Sequence, residues 1–278
     1  MHSSIKNILR KAGVYYPLQS FYRNIIFFQK SRRHRRQYKG FAGSGYTCNV
    51  CGAMYTRFVP DHPTAENRTA IESNGVIAGY GENIFCPACM STARERLLIA
   101  FLSAKIDLKE KKILHLSPEK NVFHFLIQQA TVTTADLLPG FYKTIDGMVQ
   151  KQDATNLGFA DNSFDMVFAN HILEHIPDDR KAMREIFRVM KPAARAILQV
   201  PYSEKFVLSI EEPFITDSNR QSALFGQKDH VRIYSLKDYV QRLKDAGFLV
   251  IVFDENELTQ FLKFATQPAE KLVLVSKP

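Results

Sequence analysis

No run of about 18 apolar residues occurs in this sequence, and tryptophan is absent. The first absence excludes a bilayer-spanning helix, because such a helix needs about 20 predominantly apolar residues. The opening residues, MHSSIKNILRKAG, also lack the apolar centre and small-residue cleavage site of a secretory signal. We therefore expect a cytoplasmic protein, either free or held at the inner face of the membrane.

Acidic residues are missing from the first 40 positions, which hold ten Lys or Arg residues. The rest of the chain is nearly balanced, since Lys and Arg total 37, Asp and Glu total 28, and the net charge is +9. Within residues 1–40, apolar side chains follow helical spacing and predict one amphipathic helix: Leu18, Phe21, Tyr22, Ile25 and Ile26. The basic cluster 32–36 follows this stripe.

Three interpretations of residues 1–40 stay open at this stage. The helix packs on its neighbouring unit with a solvated basic turn, or it lies on a membrane with its basic cluster on anionic head groups. The third interpretation is contact with nucleic acid through phosphate neutralisation. The lack of Trp and of alternating aromatic and basic residues makes nucleic acid the least favoured partner.

Residues 41–93 contain every cysteine of the chain, in two C-x-x-C pairs. The pairs are Cys48 with Cys51 and Cys86 with Cys89, separated by 34 residues. Two thiolates on a tight turn can bind one ion, and two such turns complete a tetrahedral sulfur site that suits zinc. We expect a structural zinc ion; a disulfide or redox pair is the weaker alternative in a cytosolic protein.

From about residue 111 the chain alternates strand and helix patterns, which predicts an α/β fold with a mostly parallel sheet. Phe164–Pro201 has the pattern of one complete βαβ unit, and polar side chains begin at Asn170 where its first strand ends. The long mixed segment 202–234 looks like an insertion over the active-site edge. Seven strands are predicted, at 112–116, 131–135, 148–153, 164–169, 196–201, 248–253 and 271–276.

Three motifs in this region resemble the class I S-adenosylmethionine-dependent methyltransferases of the type 11 group: Asp161–Asp165, Leu173–Ile176 and Met190–Pro192. The Gly-Gly that usually follows Lys-Pro is Ala193-Ala194 here. A bacterial subset with an N-terminal four-cysteine zinc ribbon is similar in three further motifs: Arg94–Leu98, His115–Glu119 and Phe225–Arg232. This resemblance implies a seven-stranded Rossmann-like methyltransferase domain over 94–278, preceded by the ribbon unit 41–93 and the basic segment 1–40.

The resemblance places S-adenosylmethionine at the carboxyl ends of the first four strands. The family's glycine-rich turn is replaced by Leu116–Glu119, where Ser117 is small enough for close approach and Glu119 can accept from the cofactor's ammonium group. Pro118 and Glu119 could equally just start the following helix.

Residues at the ends of the second, third and fourth strands are further candidates for cofactor contacts. Asp136 ends the second strand and could accept hydrogen bonds from the ribose hydroxyls, unless it is an ordinary exposed strand-end acid. By resemblance Asp153 would bind the adenine amino group, and Ala154 would offer a backbone amide to the ring. Asn170 and His171 then lie beside the sulfonium.

Methyl transfer needs alignment and at most one base, because the cofactor carries the reactivity. His230, flanked by Asp229 and Arg232, is the first candidate base, since a carboxylate neighbour can orient the ring. His171 is the second. The alternative is that these histidines pack in loops and that 227–234 shapes the lid over the acceptor.

The sequence therefore predicts an S-adenosylmethionine-dependent methyltransferase acting on a small molecule or a lipid-linked glycan. One alternative is an RNA methyltransferase that docks through the ribbon and residues 1–40. Another is a binding module without catalysis, which the missing glycines suggest.

Overall fold

The computed structural model describes residues 15–278, so the predicted contributions of Lys6, Arg10 and Lys11 lie outside the described residues. Helix α1 spans Tyr15–Gln37. It includes the basic cluster, which was predicted to follow the helix. The helix continues because Arg is a good helix former and no Gly or Pro occurs from residue 18 to residue 39. No helix within 15–278 is both long and apolar enough to cross a bilayer.

A small unit of two antiparallel strand pairs follows, and it carries the cysteines. Strands β1 (Ala42–Thr47) and β2 (Met54–Tyr55) form one pair, and β3 (Val59–Asp61) and β4 (Gly81–Phe85) form the other. Helix α2 (Arg68–Ser73) lies between β3 and β4 in the chain. The next helix, α3 (Ala93–Lys105), begins at a capping box in which Thr92 and Glu95 satisfy each other's backbone amides.

The largest part of the fold is a seven-stranded sheet. Its strands are β5 (Lys112–Leu116), β6 (Thr131–Asp136), β7 (Gln150–Lys151), β8 (Phe164–Ala169), β9 (Met190–Ile197), β13 (Leu249–Phe253) and β14 (Leu272–Ser276). They lie in the order β13-β14-β9-β8-β5-β6-β7, and β14 alone runs antiparallel to the other six. The predicted fold class, a seven-stranded and mostly parallel α/β sheet, is confirmed.

Helices cover both faces of this sheet and bury an apolar core on each side. They are α4 (Lys120–Leu126), α5 (Asp179–Val189), α7 (Leu236–Asp245) and the short α8 (Glu255–Leu258), together with α3. Single 3₁₀ turns occur at Lys39–Phe41, Pro139–Phe141 and Leu173–His175, and a 3₁₀ segment of two turns spans Thr259–Phe264.

The fifth strand of the sheet differs from its predicted range of 196–201. Strand β9 starts at Met190, directly after α5, and ends at Ile197. Lys191 and Pro192 therefore lie inside the strand and not in a turn before it. A register shift against β8 absorbs the extra residues, and Ala193 within it has φ +61°.

The segment 202–234 forms a second, three-stranded sheet beside the first. Its strands are β10 (Tyr202–Ser203), β12 (Arg232–Ser235) and β11 (Ile210–Glu211), and helix α6 (Ser218–Phe225) precedes β12. Arg232 is buried and donates to the carbonyls of Leu173 and Pro177 at 2.8 Å. These bonds fix the segment against the loop that follows β8.

Candidate functional site

The turn after β5 adopts the conformation that a glycine usually supplies. Ser117 has φ +48°, in the left-handed region, and its amide donates to the Ala135 carbonyl at 2.8 Å. Its hydroxyl donates to Asp136 Oδ2 at 2.6 Å. The missing glycine therefore does not change the path of the chain, and the side chain at this position ties the first strand end to the second.

Asp136 and Asp153 lie at the same edge of the sheet, on neighbouring parallel strands. Asp136 pairs with Lys151 at the end of β6 and β7, and Gln152 N donates to the Asp136 carbonyl at 3.0 Å. Asp153 follows at once. Its Oδ1 accepts from the amide and hydroxyl of Thr155, both at 2.8 Å, so one oxygen of this exposed carboxylate is used in a local turn.

Glu119 faces the fourth strand end. It occupies the cap position before α4, but its side chain makes no capping bond. Instead Glu119 Oε2 accepts from Asn170 Nδ2 at 2.9 Å. Burial would raise the pKa of Glu119, yet His115, Arg94 and Asn170 outweigh burial and lower that pKa to about 2. An ionised carboxylate thus lies beside the predicted sulfonium position.

A cavity lies next to Glu119 and Asn170, and its lining includes residues to which the sequence analysis gave no role. Its lining consists of Arg94, Leu97, Leu98, Glu119, Asn170, His171, Gln199, Glu270 and Leu272. Burial, followed by the charge of Glu119, raises the pKa of Glu270 to about 7, while Arg94 opposes the shift. Glu270 precedes the antiparallel β14, and that direction is the signal that could have placed it at this edge.

The histidines after β8 surround one buried carboxylate. His171 Nδ1 lies 3.4 Å from Glu174 Oε1, and His230 Nε2 lies 4.0 Å from the same oxygen. The His175 and His230 rings meet edge to face at 4.7 Å between centroids. Burial would raise the pKa of Glu174, but the three histidines lower it to about 2.

The predicted orientation of His230 by Asp229 is wrong in detail. Asp229 Oδ2 lies 3.5 Å from His175 Nδ1, and the Asp229 side chain is exposed. Arg232 donates hydrogen bonds to backbone carbonyls and to Glu211 and not to His230. His230 lies beside Glu174 because the segment 202–234 docks on the loop after β8. Burial lowers the pKa of His230 to about 4, and Glu174 only partly offsets that effect.

The four cysteine thiols form one cluster between β1 and α3, as the spacing predicted. Cys48 Sγ lies 3.7 Å from Cys89 Sγ, Cys51 Sγ lies 3.8 Å from Cys86 Sγ, and all four lie within 4.8 Å of one another. A tetrahedron with Zn–S bonds of about 2.3 Å has S···S edges of about 3.8 Å. Two of the S···S distances thus equal the edge of such a tetrahedron, and the arrangement suits a tetrahedral metal ion.

Comparison with known proteins agrees with this geometry. Residues 116–198 match a family model described as "Methyltransferase domain". This range begins at the end of β5, ends one residue after β9 and holds the four cofactor-side strand ends. The cysteine unit and the segment 202–234 fall outside it.

Curated relatives match about a third of the chain. Demethylmenaquinone methyltransferase of Paenarthrobacter aurescens (strain TC1) is 32% identical over 113 residues, 36% of this chain and 45% of the relative. The 27-O-demethylrifamycin SV methyltransferase of Amycolatopsis mediterranei (strain S699) is 32% identical over 95 residues, 34% of this chain and 33% of the relative. The chain thus spans less than half the length of these relatives.

Among solved structures, a putative methyltransferase from Bacillus halodurans C-125 aligns with a TM-score of 0.44 at 16% identity. The alignment covers 65% of this chain and 98% of that one. Residues 116–198 are thus similar to a methyltransferase domain, and the curated relatives are named as methyltransferases.

Proposed function

We propose that this protein transfers a methyl group from S-adenosylmethionine, which binds across the carboxyl edge of β5, β6, β7 and β8. The observation that supports this most directly is the grouping of Ser117, Glu119 and Asp136 at adjacent strand ends. Asp136 would accept from the ribose hydroxyls and Glu119 from the ammonium group. Asp153 and Ala154 would hold the adenine, and Asn170 would line the sulfonium side.

When bound, the cofactor supplies an activated methyl group on a positive sulfur, and the protein contributes alignment. We infer that His171 is the better of the two candidate bases. It lines the cavity beside Asn170, and Glu174 faces its Nδ1. His230 is the second candidate, because it does not line the cavity; burial lowers the pKa of both rings, so the pKa does not separate them.

The acceptor in this proposal is a small molecule or a lipid-linked glycan. The names of two relatives support a small molecule, because they refer to demethylmenaquinone and 27-O-demethylrifamycin SV. The segment 202–234 would cover the acceptor, since it docks on the loop 173–177 next to the cavity.

Calorimetry with S-adenosylmethionine tests the cofactor site. We expect binding by the wild type and a loss of about 10- to 100-fold in affinity for Asp136→Asn, because a hydrogen bond to a charged group contributes about 1.5–3 kcal/mol. Asp161→Asn is the matched control, since Asp161 precedes β8 at the opposite edge. Absence of binding heat with millimolar cofactor, or equal affinities for both variants, would refute the proposal.

We also propose that the cysteine cluster holds one structural zinc ion. Its support is the tetrahedral spacing of the thiols and the burial of Cys48 and Cys86. Elemental analysis of the purified protein should find one zinc per chain, and four thiols should react with a thiol reagent after unfolding in chelator. A metal-free protein with disulfides would exclude this assignment.

A third proposal concerns helix α1, whose apolar stripe faces solvent. Leu18, Phe21, Tyr22 and Phe28 are 56–64% exposed, while Ser31 Oγ and Arg35 Nε donate to the Ala88 carbonyl at 3.1 and 2.9 Å. The last turns thus pack on the cysteine unit and leave the aromatic residues free to meet an anionic membrane. Co-sedimentation with anionic vesicles should fall at least tenfold for the Phe21→Ser, Phe28→Ser double variant. Binding to RNA and not to vesicles would overturn this proposal.

A further inference from the structure

The cluster around Glu174 contains buried polar atoms that the fold leaves unsatisfied. Both carboxylate oxygens of Glu174 and the Nε2 atoms of His171 and His230 are buried and accept or donate no hydrogen bond within residues 15–278. The Glu174 side chain is only 1% exposed. Buried polar groups are nearly always hydrogen-bonded, and a buried carboxylate without a partner is costly. Such atoms are available to a binding partner outside the described residues.

We propose that Glu174, His175 and His230 bind a divalent metal ion of the first transition series. One ligand atom from each residue lies within 4.8 Å of the other two. Two imidazoles and one carboxylate are a ligand set that such ions favour, and they leave coordination positions open. Metal–ligand bonds of about 2.1 Å require edges of about 3.4 Å. His230 Nε2 lies 4.0 Å from Glu174 Oε1, so binding would draw this pair together by about 0.6 Å.

The surroundings of the three side chains are those of a metal site. His175 Nδ1 lies 3.2 Å from the Asp229 carbonyl and 3.5 Å from Asp229 Oδ2. A ligating histidine usually donates its second N–H to such an oxygen, which fixes the ring and leaves Nε2 for the metal. His171 faces Glu174 from the cavity side at 3.4 Å and would orient the carboxylate.

The position of the metal site next to the cavity indicates which kind of atom accepts the methyl group, and this inference rests on the proposed function. The cluster adjoins His171, which also lines the cavity at the tip of β8. A metal ion there can bind a hydroxyl or enol oxygen of the acceptor and lower its pKa. The oxygen would release its proton to His171 and form the new C–O bond as the C–S bond of the cofactor breaks. We therefore infer an oxygen-bearing acceptor.

Titration with Mn²⁺, followed by electron paramagnetic resonance of the full-length protein without cofactor, tests the site independently of catalysis. Thiolates favour zinc and bind Mn²⁺ weakly, so a zinc-loaded cysteine cluster does not compete for Mn²⁺, and a parallel titration with Zn²⁺ covers an ion that imidazoles favour more. We expect one bound Mn²⁺ per chain in the wild type. Glu174→Gln and His175→Ala should each weaken binding at least tenfold. His124→Ala, at an exposed histidine of α4, should bind like the wild type.

Thermal unfolding of the same variants adds a second readout. Mn²⁺ should raise the unfolding midpoint of the wild type and of His124→Ala and leave that of Glu174→Gln unchanged. Absence of Mn²⁺ and Zn²⁺ binding at the cluster, or equal Mn²⁺ affinity of wild type and Glu174→Gln, would overturn the metal site. A protein that binds S-adenosylmethionine but no metal would leave the cofactor proposal intact.

Discussion

The cysteine cluster and the edge of the large sheet use their polar groups in opposite ways. In the cysteine unit the four thiols lie together, and Ser91 Oγ lies 3.2 Å from Cys48 Sγ and 3.3 Å from Cys89 Sγ. At the sheet edge, Glu174 and Glu270 are buried with oxygens that find no hydrogen bond within the described chain. The cysteine unit thus satisfies its polar groups internally and stabilises the fold, whereas the sheet edge leaves polar groups available for ligands.

This difference has an energetic consequence. Removing a polar group from the cysteine unit should destabilise the protein, while removing the Glu270 charge from the sheet edge should stabilise it. Functional sites commonly carry such a cost in stability, because preorganised polar groups are satisfied only when the ligand is bound. The following substitutions test the comparison, in order of decreasing expected effect.

Cys86→Ser should have the largest effect, because it removes a buried thiolate of the proposed zinc site. Loss of a structural metal costs more than about 4 kcal/mol of the free energy of unfolding. We expect loss of the bound zinc in elemental analysis and a lower midpoint in urea. Ser91→Ala removes only the neighbouring hydroxyl and should retain zinc. Retention of one zinc and wild-type stability by Cys86→Ser would contradict a structural role.

Arg96→Met should follow, because Arg96 joins the cysteine unit to the C-terminal part of the chain. This fully buried guanidinium donates to the carbonyls of Phe264 and Ala265 at 2.7 Å and to that of Asn83 at 2.8 Å. Its removal leaves buried carbonyls unpaired, so we expect a loss of about 3–5 kcal/mol in chemical denaturation.

Arg96→Lys keeps the charge but not the planar fork, and its stability should fall between those of Arg96→Met and the wild type. If Arg96→Met unfolds at the wild-type midpoint, the two parts of the fold do not depend on this side chain.

Glu270→Gln should act in the opposite direction and depend on pH. The pKa of Glu270 rises from 4.5 to about 7 on folding, which corresponds to a destabilisation of about 3 kcal/mol when the carboxylate is ionised in both states. Both states are protonated below pH 4.5, so the penalty is absent there and is complete only above pH 7. We expect Glu270→Gln to stabilise the protein by about 3 kcal/mol at pH 8 and by less than about 1 kcal/mol at pH 5.

The substitution Glu66→Gln, at an exposed carboxylate 3.4 Å from Lys228 Nζ, serves as the control for removing a surface charge. An equal effect of Glu270→Gln at both pH values would mean that Glu270 ionises normally in the folded protein.

Ser117→Gly should have the smallest effect. It relieves a left-handed backbone conformation that costs about 1–2 kcal/mol, but it also removes the hydrogen bond to Asp136, which contributes about 1 kcal/mol. The net change in the free energy of unfolding should stay within about 1 kcal/mol. Ser117→Ala keeps the strain and loses the bond, so it should be the less stable of the two. The reverse order would show that the turn is not strained.

Local patterns were enough to predict most of the fold. Strands β5 and β8 have the predicted bounds, 112–116 and 164–169, because their apolar runs end sharply at polar residues. The C-x-x-C spacing likewise predicted the cysteine cluster, since each pair sits on one tight turn. The start of β9 was missed because its register shift depends on pairing with β8 and leaves no mark in the local sequence.

The candidate site was predicted less completely. Ser117, Glu119, Asp136 and Asn170 meet where the strand ends of a parallel sheet must meet, so chain order alone could place them. Glu270 could not be placed without the direction of β14. The contact between His230 and Glu174 could not be predicted from the sequence either. The two residues are 56 positions apart and come together only because segment 202–234 docks on the loop after β8.

By itself the sequence determined the sheet, its strand-end acids and the grouping of the cysteines. Each of these follows from hydrophobic periodicity or from short spacing along one turn. The tertiary structure alone decided which side chains share the buried space after β8. That choice depends on how a distant segment packs, and packing is a property of the whole chain and not of any local run of residues.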